Sequence, residues 1–201
     1  MSLPRQDELL NALAGPGWYV DTAFLSAEST RALREECLAA WQQGGFHAAG
    51  TGRGVQTQID HEMRGDQILW VESEHAGPAL SAALDRLESL RQAVNRTLFL
   101  GLFDVELHFA AYPPGAGYQR HLDQFRDDDR RTLTAILYLN EPDWCEADGG
   151  LLRFWPDEHG APIDILPSGG TLVTFLSARF WHQVLPTQRQ RLSLTGWFRR
   201  R

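Results

Sequence analysis

The spacing of apolar side chains changes near residue 100, and that change limits the available folds more than any other feature of the chain. Up to about Phe99 apolar residues recur at helical spacing, whereas from Asp104 onward they fall into short runs separated by turn residues. Ser2 to Ala14 is a short helical pattern that stops at Gly15-Pro16-Gly17, and Trp18-Tyr19-Val20 behind it reads as extended. Ser26 is a candidate N-cap for a second helix, in which Leu33, Cys37, Leu38 and Trp41 share a face until Gly44-Gly45. Pro78 opens a third helix that runs to about Phe99, with Leu80, Leu84, Leu87, Leu90, Val94 and Leu98 along one stripe. Between the second and third helices lies His47 to Asp66, polar and rich in glycine. A functional lid and a pair of short edge strands joined by a wide turn both fit that stretch.

The second half predicts strands at 104–112, 118–122, 131–139, 150–154, 162–165, 171–176, 182–185 and 191–198. Short strands without helices between them define an antiparallel sandwich, jelly roll or barrel, with the helices packed on the outer face of one sheet. A chain of 201 residues suits a single domain, residues 1–100 giving helical support and a loop and 101–201 the β core. The formal net charge of −7 argues against general nucleic-acid binding, although Arg126, Arg130, Arg131 and Arg199 to Arg201 leave local basic spots. Cys37 and Cys145 are the only cysteines and give no disulfide framework; Cys37 falls on an apolar face and is expected in the core. The first residues lack the basic and apolar segments of a signal peptide, and no run approaches the roughly 18 apolar residues of a membrane span. A cytoplasmic location is the expectation.

Chemistry concentrates in Arg120-His121-Leu122-Asp123. On a strand, positions two apart project from one face, so His121 and Asp123 can reach one ion together. The pair is weak evidence alone, but His182 supplies a second imidazole late in the chain. Two histidines and a carboxylate on one side of an ion form the facial triad of non-haem Fe(II) oxygenases, with positions left open for a chelating cosubstrate and O2. A structural zinc site would close its coordination and favour cysteine. Along the last strand, period two places Arg191, Ser193, Thr195 and Trp197 on one face and Leu192, Leu194, Gly196 and Phe198 on the other. The leucine face suits a packed layer. The other suits a polar cavity wall, where a guanidinium can bind a dicarboxylate through paired hydrogen bonds. For Tyr112 and Tyr138, a cavity hydroxyl and a core aromatic are equally compatible with the pattern. His47, His61, His75 and His159 read as exposed loop residues and His108 as hydrogen-bonded structure; Asp127-Asp128-Asp129 reads as a solvated loop without calcium-loop spacing.

With these residues in place, the chain resembles the prolyl-4-hydroxylase branch of the 2-oxoglutarate/Fe(II) oxygenases. The stretch Tyr112-Pro113-Pro114-Gly115-Ala116-Gly117-Tyr118-Gln119-Arg120-His121-Leu122-Asp123 is similar to that family's tyrosine-glycine turn and H-x-D segment. Tyr138-Leu139-Asn140, Gly149-Gly150-Leu151-Leu152-Arg153, His182 through Arg191, and Thr195-Gly196-Trp197 follow in the family's order. Upstream, Arg64-Gly65-Asp66-Gln67-Ile68-Leu69-Trp70 resembles the stretch that closes its substrate-binding loop. The resemblance implies a double-stranded β-helix (jelly roll) buttressed by about three N-terminal helices. It implies Fe(II) on His121, Asp123 and His182, and 2-oxoglutarate held by Arg191 and Tyr138 with Tyr112 and Thr195 nearby. Arg131, Trp197 and Asp66 would lie at the substrate entrance, an Asp66–Arg131 pair latching loop 47–66. O2 is the co-reactant and ascorbate a reductant in keeping with the family. The product is a hydroxylated prolyl residue of a protein, and compact members of this kind make elongation factor Tu the leading named substrate. Two other readings fit the same residues: a 2-oxoglutarate oxygenase of a free amino acid or small molecule, and a jelly-roll sensor that holds a metal or ligand without turnover. The protein is expected to act as a monomer.

Overall fold

The apolar stripes fold as three helices, α1 (Gln6–Ala14), α2 (Ala27–Gln42) and α3 (Pro78–Leu98). The computed structural model describes residues 5–50, 60, 62–125 and 127–201, so the expectations placed on Ser2, His61, Arg126 and most of loop 47–66 lie outside the described residues. Ser26 caps α2 as its sequence position predicts, its hydroxyl accepting from the Ser29 amide at 3.1 Å. The cap of α3 comes from elsewhere: Gly77 has no side chain to offer, and the Glu36 carboxylate of α2 accepts from the amides of Ala79 (2.8 Å) and Leu80 (3.0 Å).

Eleven strands follow the turn signals: β1 (Trp18–Asp21), β2 (His47–Ala48), β3 (Gln67–Trp70), β4 (Asp104–Tyr112), β5 (Tyr118–His121), β6 (Arg131–Tyr138), β7 (Leu152–Phe154), β8 (Ile163–Ile165), β9 (Leu172–Leu176), β10 (His182–Val184) and β11 (Arg191–Arg199). The eight strands expected beyond residue 100 are all present. The clearest boundary error is at β7, which begins at Leu152 because Gly149 and Gly150 take positive φ angles of 68° and 65° and turn the chain first. Two short strands, β2 and β3, flank the 47–66 stretch and pair with each other, the edge-strand alternative for that region.

The strands form two antiparallel sheets, one of seven in the order β1-β9-β6-β11-β4-β3-β2 and one of four in the order β5-β10-β7-β8. Period two divides the large sheet. Leu107, Phe109, Leu133, Leu137, Leu192, Leu194 and Phe198 face the helices and join Leu33, Leu87, Leu90 and Val94 in one apolar core. Cys37 is part of that core, fully buried, and burial pushes its thiol up to about 12. The opposite face packs Ile136, Tyr138, Val173 and Phe175 against Leu152, Phe154 and Val184 of the small sheet. This is the jelly roll with buttressing helices, and the chemistry-bearing residues line the gap between its sheets. No helix among the described residues is long and apolar enough to cross a membrane.

Candidate active site

His121 ends β5, Asp123 follows two residues later, and His182 opens β10 directly opposite His121 in the register. Strand pairing therefore brings together imidazoles that are far apart in sequence. Each Nε2 lies 3.6 Å from a different oxygen of Asp123, the ring centroids are 4.2 Å apart, and the candidate ligand atoms of all three residues lie within 4.8 Å of one another. The other nitrogen of each ring faces a carbonyl: Nδ1 of His121 lies 2.7 Å from Gln119 O and Nδ1 of His182 lies 3.1 Å from Phe180 O. Donation at Nδ1 fixes the tautomer and leaves each Nε2 lone pair for a metal. Burial, with His121 adding to it, lowers His182 to about 4 and keeps it neutral for that role. Burial resists ionisation of Asp123, but His182 and His121, with the Thr134 hydroxyl donating at 2.8 Å, hold its carboxyl well below the usual range. Ser177 lies 2.9 Å from that hydroxyl and continues the chain of buried hydrogen bonds. Tyr118 stacks flat on His121, centroids 3.6 Å apart, under the Arg64 guanidinium. Two imidazole nitrogens and one carboxylate, without a fourth protein ligand among the described residues, fit Fe(II) with open positions better than a closed structural site.

The floor of a cavity of about 480 Å³ lies across from this trio on the large sheet. Arg191 is 1% exposed, and none of the described carboxylates pairs with it. Its Nε donates to Gly150 O at 2.9 Å, and its guanidinium carbon lies 5.0 Å from the ring centroids of both Tyr112 and Tyr138. Gly150 permits this approach, because a Cβ there would stand 2.8 Å from Arg191 Cδ. The Tyr138 hydroxyl is buried without a hydrogen-bond partner; burial pushes its phenol up to about 12, and the nearby Arg191 charge opposes the shift. A buried cation and an orphaned hydroxyl side by side make a receptor for a carboxylate. Ser193 and Thr195, their hydroxyls 3.0 Å apart, continue the wall toward the mouth. Asn140 pins the start of β11, accepting from Leu192 N at 2.8 Å and donating to Pro167 O at 2.7 Å.

At the mouth, the Arg131 guanidinium carbon lies 3.4 Å from the Trp197 ring centroid and 4.8 Å from that of Phe125. The expected Asp66–Arg131 latch is not formed. Asp66 is 2% exposed and takes two hydrogen bonds from Arg64, at 2.6 and 2.9 Å, while Arg131 pairs with Glu106 at 3.6 Å. Residues 64 and 66 are two apart, so one carboxylate and one guanidinium meet locally before any longer-range partner can compete. His75 and His159 are exposed as expected; His47, also exposed, sits on the cavity rim. His108 departs from its expected role: it is 1% exposed on the cavity wall, and its Nδ1 has no partner. Thr134, Tyr118 and Trp70 also belong to the site. Their sequence signal was position alone, Thr134 sharing a face with Ile136 and Tyr138.

Fold and site together define an oxygenase built to hold a metal and a small dicarboxylate between two sheets. A profile of the 2OG-Fe(II) oxygenase superfamily matches residues 107–199. Among solved structures, a Pseudomonas putida prolyl-4-hydroxylase is 46% identical, with a TM-score of 0.88 over 98% of this chain and 100% of that one. A Trichoplax adhaerens prolyl hydroxylase, solved in complex with a hypoxia inducible factor oxygen degradation domain peptide fragment, is 28% identical, with a TM-score of 0.86 over 96% and 88% of the two chains. Human Egl nine homolog 1 is 30% identical over 183 residues, which cover 87% of this chain but only 42% of that protein. The chain belongs to the 2OG-Fe(II) oxygenase superfamily and is homologous to its prolyl hydroxylases.

Proposed function

We propose that the protein is an Fe(II)- and 2-oxoglutarate-dependent prolyl 4-hydroxylase acting on a proline within a protein, with elongation factor Tu as the first substrate to test. The observation that carries the cosubstrate assignment is Arg191, a buried guanidinium without a carboxylate partner among the described residues, across the cavity from the metal trio. Bound together, iron and 2-oxoglutarate supply the chemistry that inserts one oxygen atom of O2 into a C–H bond, with succinate and CO2 as co-products.

The protein's part is positional. Arg191 and the Tyr138 hydroxyl receive the distal carboxylate and orient the cosubstrate toward His121, Asp123 and His182. Thr134 and the two backbone carbonyls hold those three side chains in their ligating rotamers. Tyr118, Trp197 and Phe125 wall the reacting centre from water.

A residue within a polypeptide suits the mouth better than a free amino acid does. Both arginines there are already neutralised, Arg64 by Asp66 and Arg131 by Glu106. Neither is therefore unpaired for a free carboxylate, while Trp70, Trp197 and Phe125 offer apolar surface to a pyrrolidine ring. The likeness to a prolyl hydroxylase solved with a bound peptide supports the same choice.

The test is reconstitution with Fe(II) under anaerobic conditions, then exposure of a host lysate to protein and O2 with and without 2-oxoglutarate. A one-oxygen mass gain on a prolyl residue that depends on 2-oxoglutarate is the expected result. No such gain, with turnover of a free small molecule instead, overturns the protein-substrate reading. The Asp123→Ala and His182→Ala variants are expected to fold and to lose 2-oxoglutarate turnover; full activity in either removes the ligand assignment.

A further inference from the structure

Two ring nitrogens at the mouth of the cavity have nothing to bond. Nδ1 of His108 and Nε1 of Trp197 are both buried, and neither has a hydrogen-bond partner. The rings are neighbours, with centroids 5.3 Å apart and planes tilted by 36°, and both line the cavity. Register explains the pairing: Thr195 lies opposite His108 on the adjacent strand, and Trp197, two residues further along β11, shares its face. Trp70 holds the imidazole from the other side, edge-on at 5.1 Å, and is itself 40% exposed.

Native proteins leave few buried polar atoms unpaired, and a cluster of them in a binding cavity is explained by a ligand that completes them. A third orphan, the Tyr138 hydroxyl, belongs to the cosubstrate end described above. The two at the mouth have a different chemistry. Indole nitrogen only donates, whereas a neutral imidazole keeps one nitrogen as an acceptor. His108 stays neutral: burial, reinforced by the charges of Arg64 and Arg131, lowers it to about 3. One donor and one acceptor on adjacent rings match the C=O and N–H of a single peptide unit. The amide preceding a proline is tertiary and has no N–H, so the unit that follows the ring is the one joined to it that offers both groups.

We infer that His108 is a specificity-determining residue that accepts the N–H of the amino acid after the target proline, while Trp197 donates to the proline carbonyl. The inference rests on the prolyl-hydroxylase reading and adds to it the means by which a peptide is told from a free amino acid. A free proline has a carboxylate where the peptide has this amide. It offers no N–H at that position, and neither ring is charged to compensate it.

The experiment uses the reconstituted holoenzyme and a panel of short, capped peptides with a central proline, the best of which is remade with an ester in place of the amide after that proline. In the wild-type enzyme the ester is expected to raise KM about tenfold with a much smaller change in kcat, the loss of one hydrogen bond. His108→Phe is expected to raise KM for the amide peptide by a similar factor and to respond no further to the ester. His108→Gln, which restores an acceptor, recovers part of the loss. Equal KM for ester and amide in the wild-type enzyme overturns the inference whether or not any variant folds. An unchanged KM in folded His108→Phe overturns it as well. If the wild-type enzyme hydroxylates none of the peptides yet turns over free proline, the prolyl-residue reading falls and the inference falls with it.

Discussion

At the scale of single residues, the site separates into groups with a partner and groups kept without one, and the second set is the informative one. Arg191 was legible because its strand face was too polar for a core, and the His121–Asp123 pair because of its spacing. His108 was not legible, since an imidazole in an apolar strand looks the same whether its nitrogens are satisfied or waiting. Arg191→Lys is expected to raise KM for 2-oxoglutarate by about ten- to a hundredfold, because an ammonium gives up the planar fork that matches a carboxylate; titration of cosubstrate against the variant reads this directly. His108 also makes a pH prediction. Its pKa is about 3 in the folded protein against an ordinary 6.5, so below pH 6.5 the unfolded chain takes up a proton that the native state refuses. The stability associated with neutral His108 is complete above pH 6.5 and is lost as pH falls toward 3, reaching about 2 kcal/mol by pH 5. Urea unfolding of the metal-free protein at pH 7 and pH 5 should show His108→Phe less sensitive to the change by about that amount.

The element that decides most is β11. Its odd-numbered side chains furnish the cavity and its even-numbered ones the helix-facing core, a division that period two made readable from sequence. The break in that pattern is Gly196, and its reason appears only in the folded sheet, where an added Cβ would fall on the Glu106 carbonyl oxygen and crowd Leu107. Gly196→Ala must push β4 from β11, with an expected loss of about 1–3 kcal/mol and a weakened Thr195–His108 wall; thermal melting and cosubstrate titration would measure the two effects. Helix ends show the opposite limit. Ser26 announced its own helix, but the cap of α3 comes from Glu36 on another helix, and local sequence carries no sign of that. Strand β3 escaped notice for a related reason: Gln67–Trp70 is short and gains its place by pairing with β4 and β2.

For the molecule as a whole, the two sheets bear different loads. The seven-stranded sheet carries Arg191 and is backed by three helices, whereas the four-stranded sheet carries both metal histidines. A metal bridging β5 and β10, with a dicarboxylate spanning to β11, ties the sheets together. Saturating Mn(II) and 2-oxoglutarate at about a hundred times their dissociation constants should therefore add about 2.7 kcal/mol per tightly bound ligand, read as a melting temperature several degrees higher; no shift would contradict the shared site. The strand order has a further consequence for how such a protein is born. β11 lies between β6 and β4 in the middle of the large sheet, yet it is the last strand to leave the ribosome. Until it threads into that gap, β4 and β6 lack their shared partner, and the nascent chain has His121 and Asp123 without the arginine that recognises the cosubstrate. Loading is thus a post-translational event, and a stalled or truncated chain exposes unpaired strand edges while offering only a partial cosubstrate site.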